Sequence, residues 1–233
     1  MDFLRLLGAM AAEHRKATGR PFVTLSYAQS LDGCISARPG EALVLSGRQS
    51  MKLTHRLRAG HDAILVGIGT VLSDNPRLTV RLVNGRSPRP VVVDSMLRLP
   101  LESRLLCENL RPPWVVTAEF PDPERRKALE AAGAKIIPVP RNGNGYLDLG
   151  VVLEKLGELG LTSVMVEGGS RIITSFLKER LADYLVLTVA PIVVGGMRGV
   201  RHLQSSDMDH FRRLKNPQHR RMGEDLVLWG ELT

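Results

Sequence analysis

Apolar residues fall into two kinds of stretch along this chain. Short, dense runs with many β-branched residues occur at Pro21–Ala28, Asp62–Val66, Pro90–Asp94, Trp114–Thr117, Lys135–Val139, Val164–Val166, Tyr184–Ala190 and Leu226–Leu232. Several are apolar at successive rather than alternate positions, the pattern of strands buried on both faces. Between them, helical spacing predicts helices from Ser46 to Ala59, from Asp122 to Gly133 and from Leu149 to Leu159. Another opens at Ser170 and carries Ile172, Ile173, Phe176, Leu177 and Leu181 on one face. Ser46 and Ser170 stand where N-caps are needed, Asp122-Pro123-Glu124 supplies a cap, an early proline and an acidic first turn, and Gly60 and Gly133 serve as stops. Strands alternating with helices of this length predict a three-layer α/β fold, a mostly parallel central sheet with helices on both faces. Leu226–Leu232 is expected to lie antiparallel at the end of that sheet. No linker-like break divides residues 1–233, so one domain is expected, with residues 1–20 as an N-terminal helical extension whose Asp2–Leu7 stretch is amphipathic.

Two strands run directly into glycines. Val164-Met165-Val166 is followed by Glu167-Gly168-Gly169-Ser170-Arg171, and Asp62–Val66 by Gly67-Ile68-Gly69-Thr70. Glycine permits a sharp turn or a close approach of backbone to a ligand, and a helix start beyond it offers free amides and a positive dipole end to an anion. Glu167 stands at the carboxyl end of its strand, where open α/β sheets bind ligands. The second junction lacks the third glycine of the dinucleotide fingerprint, so it stands only as a tight turn whose amides and Thr70 hydroxyl suit a phosphate or ribose.

Composition narrows the classes. Apolar residues make up 43% of the chain, enough for a full core, and no segment approaches the ~20 apolar residues of a membrane span. Residues 1–20 lack a secretory leader's apolar core. Two cysteines far apart, Cys34 and Cys107, argue against a disulfide framework and for a reducing cytoplasm. The net charge of +8 admits nucleic acid, acidic lipid or small phosphorylated anions as partners. Its basic residues gather late, at Arg198, Arg201, Arg212, Arg213, Lys215, Arg220 and Arg221, with few aromatics for base stacking. That pattern reads as a solvated loop, and nucleic acid is not the expected partner.

Four separated stretches, in this order and spacing, carry a resemblance. They are Ser30-Leu31-Asp32-Gly33; Leu57-Arg58-Ala59 running to Val66-Gly67-Ile68-Gly69-Thr70-Val71-Leu72; Asp74-Asn75-Pro76-Arg77-Leu78-Thr79-Val80-Arg81; and Val166-Glu167-Gly168-Gly169 with Ala190-Pro191 and Gly195-Gly196. From Pro21 to Leu232 the chain resembles the reductase domain of riboflavin biosynthesis, the C-terminal half of a bifunctional deaminase–reductase. The zinc signature of the deaminase half is missing, so a reductase without that half is expected and no metal site with it.

The resemblance implies a dihydrofolate-reductase-like fold, NADPH as cofactor, a homodimer, and reduction of the ribose of a ribosylaminopyrimidine 5′-phosphate to the ribityl form. It implies substrate contacts at Arg58, Leu78, Arg81 and Glu167, with Glu167 the candidate catalytic residue beside the nicotinamide. Cofactor contacts are implied at Ala28, Thr70, Asp74 and Ser95, and at Gly168, Gly169, Ser170 and Arg171, where the loop and helix start would carry cofactor phosphate. Guanidinium forks suit a phosphomonoester independently of the resemblance. Asp32 reads as a turn former rather than a catalyst. Cys34 and Ala42 depart from the residues many relatives carry, Lys or Arg at the first position and Ser at the second. A pterin or dihydrofolate reductase on the same fold, and a basic nucleic-acid-binding protein, are the alternatives.

Overall fold

A computed structural model describes residues 3–201, 203 and 211–233. In chain order the elements are α1 (Phe3–Thr18), β1 (Phe22–Gln29), β2 (Cys34–Ser36), α2 (Arg48–Ala59), β3 (Ala63–Gly67), α3 (Ile68–Asp74), β4 (Arg89–Val93) and α4 (Arg104–Cys107). There follow β5 (Trp114–Ala118), α5 (Pro123–Ala131), β6 (Lys135–Val139), α6 (Leu149–Glu158), β7 (Ser163–Glu167), α7 (Ser170–Lys178), β8 (Tyr184–Val189), β9 (Met197–Arg198), β10 (Leu214–Met222) and β11 (Asp225–Leu232). Nine strands form one sheet in the order β10-β11-β8-β1-β7-β3-β4-β5-β6. From β8 to β6 neighbours are parallel, whereas β11 runs antiparallel to both β8 and β10.

The continuous apolar runs are explained by burial on both faces. In β3, Ala63 and Leu65 pack on one side while Ile64 and Val66 pack on the other; in β7, Val164 and Val166 oppose Met165. One face is covered by α6 and α7 through Val152, Leu153, Leu156, Ile172, Ile173 and Phe176. The other is covered by Leu7 and Ala11 of α1, Leu53 and Leu57 of α2, Val71 of α3, Leu105 of α4 and Leu129 of α5. Fully burying one such side chain is worth about 1.5–3 kcal/mol, so the layers hold the sheet edge rigidly where ligands would sit.

Three local expectations are corrected. The basic C-terminal stretch contains a strand, since Leu214–Met222 forms β10 at the sheet's edge, and β11 is therefore second from that edge. An edge strand open to water needs no apolar alternation; its exposed Lys215, Arg220 and Arg221, with Pro217 and a bulge between Lys215 and Gln218, discourage pairing with another chain. The N-cap of α2 is Gly47, not Ser46. A distant carboxylate replaces the local cap: Asp225, at the start of β11, accepts the Gly47 N–H at 2.8 Å and the Ser50 hydroxyl, and its charge suits the helix N-terminus. Likewise Gly169 rather than Ser170 is the N-cap of α7, with φ 78 and no side-chain cap bond. The N-terminal helix α1, Phe3–Thr18, lies within the helical extension expected over residues 1–20. The expected cap at Asp122 is present, accepting the Arg125 N–H.

Candidate active site

Because β7 is inserted between β1 and β3, the carboxyl ends of these strands lie side by side. A cleft of about 1350 Å³ opens across them. Ala28, Arg58, Thr70, Asp74, Leu78, Ser95, Glu167, Gly168, Gly169, Ser170 and Arg171 all line it. Arg81 does not; its exposed side chain stands outside the lining and donates to the Thr79 hydroxyl at 2.9 Å.

The chemistry of the cleft centres on Arg58 and Glu167, 109 residues apart in sequence. Arg58 projects from the last turn of α2 and donates from Nε to Oε1 at 2.7 Å and from Nη2 to Oε2 at 2.6 Å, while its Nη1 reaches the Thr79 carbonyl at 3.2 Å. The two side chains are 11% and 15% exposed. Burial works against the Arg58 charge, but the Glu167 charge and hydrogen bonds outweigh it and push the guanidinium above its ordinary range. Glu167 is held in one orientation by these two bonds. Each oxygen accepts one bond from Arg58 and keeps a further lone pair, so acceptor capacity remains for a ligand's hydroxyls. An Arg58 occupied in this way is a poor free fork for a phosphate.

The segment after α3 is braced from several sides. Asn75, in the left-handed conformation, closes α3 and accepts the Arg104 N–H at 2.9 Å, and Asn109 donates to the Arg77 carbonyl. Arg77 pairs with Glu108. From the α2 side, buried His55 accepts the Arg81 N–H at its Nδ1 at 2.8 Å. Burial first, then the charges of Arg58 and Arg81, lower its pKa to about 4, so the ring is neutral near pH 7 and that lone pair is available. Partial burial, then the charges of Arg58, Arg77 and Arg104, pull the Arg81 guanidinium below its ordinary range; a cationic rim of this kind favours an anion.

The two glycine junctions meet. A Cβ on Gly67 would lie 2.8 Å from Ile172 Cγ1, and one on Gly169 would lie 2.9 Å from Thr70 Oγ1. These glycines let α3 and α7 start against one another beside Glu167. Gly169→Ala is therefore expected to cost on the order of 1–2 kcal/mol from its left-handed backbone alone, and to displace Thr70. Thermal melts should show the stability loss, and a titration should show weakened dinucleotide binding.

Asp32 is placed as a turn former. It accepts from Ser30 Oγ at 2.5 Å and from the Val194 and Gly195 amides at 3.0 and 2.7 Å, and these bonds hold its carboxyl well below the usual range. Cys34 is buried beside it, donating to Asp32 and accepting the Gly196 N–H, so the departure at this position ties the β1–β2 turn to the segment that leads into β9. Ala42 lines the cleft. Sequence reasoning missed Ser26, which faces Glu167 in the β1–β7 register, and Thr188, both buried and both lining the cleft. Burial pushes Tyr27, another lining residue, up to about 12. The missed signal was polar residues inside otherwise apolar strands. His55 was also missed, although its three-residue spacing from Arg58 puts both on one helix face.

The family model described as the RibD C-terminal domain matches residues 21–228. The chain is 36% identical over 215 residues to the 2,5-diamino-6-ribosylamino-4(3H)-pyrimidinone 5′-phosphate reductase of Methanothermobacter thermautotrophicus, covering 90% of this chain and 97% of that protein. It is 34% identical over 216 residues to the riboflavin biosynthesis protein RibD of Aquifex aeolicus, covering 90% of this chain but only 57% of that relative. Among solved structures, the riboflavin biosynthesis reductase Rib7 of Saccharomyces cerevisiae superposes with a TM-score of 0.76 at 29% identity, covering 100% of both chains. Acinetobacter baumannii RibD superposes with a TM-score of 0.83 at 24% identity, covering 96% of this chain and 61% of that one, a likeness of fold.

Proposed function

The chain belongs to the RibD C-terminal domain family, and from that premise we propose that it reduces the ribose of a ribosylaminopyrimidine 5′-phosphate to the ribityl form with NADPH. The carrying observation is the Arg58–Glu167 pair set beside the two glycine junctions in one cleft. The 2,5-diaminopyrimidinone is the favoured substrate, because the Methanothermobacter reductase named for it is matched over 97% of its length. On the same reading the protein is a cytoplasmic homodimer. Among the described residues no helix is long and apolar enough to cross a membrane.

The cradle fits a dinucleotide. The start of α7 has no side-chain cap bond, and glycines at 168 and 169 bring backbone to the cleft wall without side chains, the conditions for an anion at a helix N-terminus. Thr70, Asp74, Ser95, Gly168, Gly169, Ser170 and Arg171 would hold the cofactor, with Ala28 on the β1 side. When bound, NADPH supplies the hydride. Turning a ribosyl into a ribityl group adds that hydride at the anomeric carbon, breaks the bond from this carbon to the ring oxygen, and places a proton on that oxygen. Glu167 accepts hydrogen bonds from sugar hydroxyls and fixes the reacting carbon. Arg58 orients Glu167 through two hydrogen bonds, and Leu78 closes an apolar wall of the cleft.

Arg81 takes the substrate phosphate in this reading. Arg81→Ala is expected to raise the substrate KM by roughly tenfold to a hundredfold, the loss of one charge-assisted contact of on the order of 1.5–3 kcal/mol. The NADPH dissociation constant should hold. Steady-state kinetics with both substrates varied decides it, and an unchanged substrate KM would remove Arg81 from the site.

A further inference from the structure

The family resemblance gives no task to His55, yet it is among the most completely buried polar side chains described, 1% exposed. It stands one turn before Arg58 on α2. Its Nδ1 accepts the Arg81 N–H at 2.8 Å, with the Leu82 N–H at 3.5 Å. Arg58 holds the Thr79 carbonyl of the same segment, and Ser87 holds the Val80 N–H at 3.0 Å. Leu78, just before these contacts, has φ 54. A non-glycine residue there persists only where surrounding bonds over-determine the backbone. His55 and Arg58 therefore grip one segment from one helix, the first through an amide and the second through a carbonyl.

We propose that His55 is a positioning residue for substrate binding, fixing the main chain of Arg81 so that its guanidinium meets the substrate phosphate at the cleft's rim. The claim rests on the phosphate role given to Arg81. A buried amide whose acceptor is removed must find another partner or stay unsatisfied. Without the His55 acceptor, the main chain at Arg81 and Leu82 would therefore shift and carry the guanidinium away, while Arg58 still holds Thr79.

Two substitutions separate positioning from bulk. Asparagine can set its side-chain oxygen close to where Nδ1 lies, whereas glutamine carries its oxygen one carbon further, toward the Nε2 position. His55→Gln should lower kcat/KM on the phosphorylated ribosylaminopyrimidine by about tenfold, the scale of one lost buried hydrogen bond. His55→Asn should restore most of that loss. On the same pyrimidine lacking its phosphate, wild type and His55→Gln should agree, and the NADPH KM should not move. His55→Gln combined with Arg81→Ala should be no worse than Arg81→Ala alone, since both remove one contact. Effects that multiply in the double variant, or no rescue by asparagine, would overturn the positioning role. So would full phosphate discrimination retained in His55→Gln. If instead the wild type treats the two pyrimidines alike, the phosphate role of Arg81 falls first, and this inference with it.

Discussion

Glu167→Gln should yield a folded protein that binds NADPH normally and turns over slowly. The glutamine amide is nearly isosteric, but it offers one oxygen where the carboxylate offers two. One of the bonds at 2.7 and 2.6 Å from Arg58 is therefore lost, and an N–H faces an N–H. The remaining oxygen is neutral and accepts sugar hydroxyls more weakly. Hydrogen bonds to charged groups are worth about 1.5–3 kcal/mol, so kcat should fall roughly tenfold to a hundredfold. If the contact aligns the reacting carbon, the loss appears in kcat as well as in KM, because alignment acts most in the transition state. Measuring both constants at saturating NADPH tests this. Unchanged constants in a folded variant would reduce Glu167 to an anchor for Arg58.

Arg58→Ala should be the more damaging change. It removes both bonds to Glu167 and the bond to the Thr79 carbonyl, and it leaves a carboxylate only 15% exposed without its counter-charge. Breaking one side of a buried ion pair typically costs about 3–5 kcal/mol, which chemical denaturation would resolve easily. The pair's asymmetry gives a sharper test. Adding Glu167→Gln to Arg58→Ala removes the stranded charge, so the double variant should be more stable than Arg58→Ala alone while remaining catalytically poor. A double variant whose losses simply add would mean that the two side chains do not depend on each other in solution.

The interior of the sheet was legible because burial on both faces forces unbroken apolar runs, and β3, β4, β5, β6 and β7 fall within a residue or two of the expected strands. The β10 edge was not legible, since a strand facing water on its outer side carries Lys215, His219, Arg220 and Arg221 as readily as a loop does. Caps failed where tertiary structure supplied the acceptor: nothing near Ser46 announces that Asp225 will cap α2. At the site, motifs brought most of the proposed residues to one cleft. They could not show that Arg58 and Glu167 bind each other, because spacing carries no information about a contact across 109 positions. Reading Arg58 as a phosphate fork treated its guanidinium as free. In the fold its donors are largely taken by Glu167 and Thr79, whereas the Arg81 side chain is exposed.

The purified protein should be incubated with NADPH and, in parallel, the 2,5-diamino-6-ribosylamino-pyrimidinone 5′-phosphate, its deaminated counterpart and dihydrofolate, with cofactor oxidation followed optically and products by mass. Oxidation is expected with a ribosylaminopyrimidine phosphate, fastest with the diamino form, giving a product heavier by two hydrogen atoms whose sugar has become ribityl. Oxidation with dihydrofolate and with neither pyrimidine would contradict the proposed reduction.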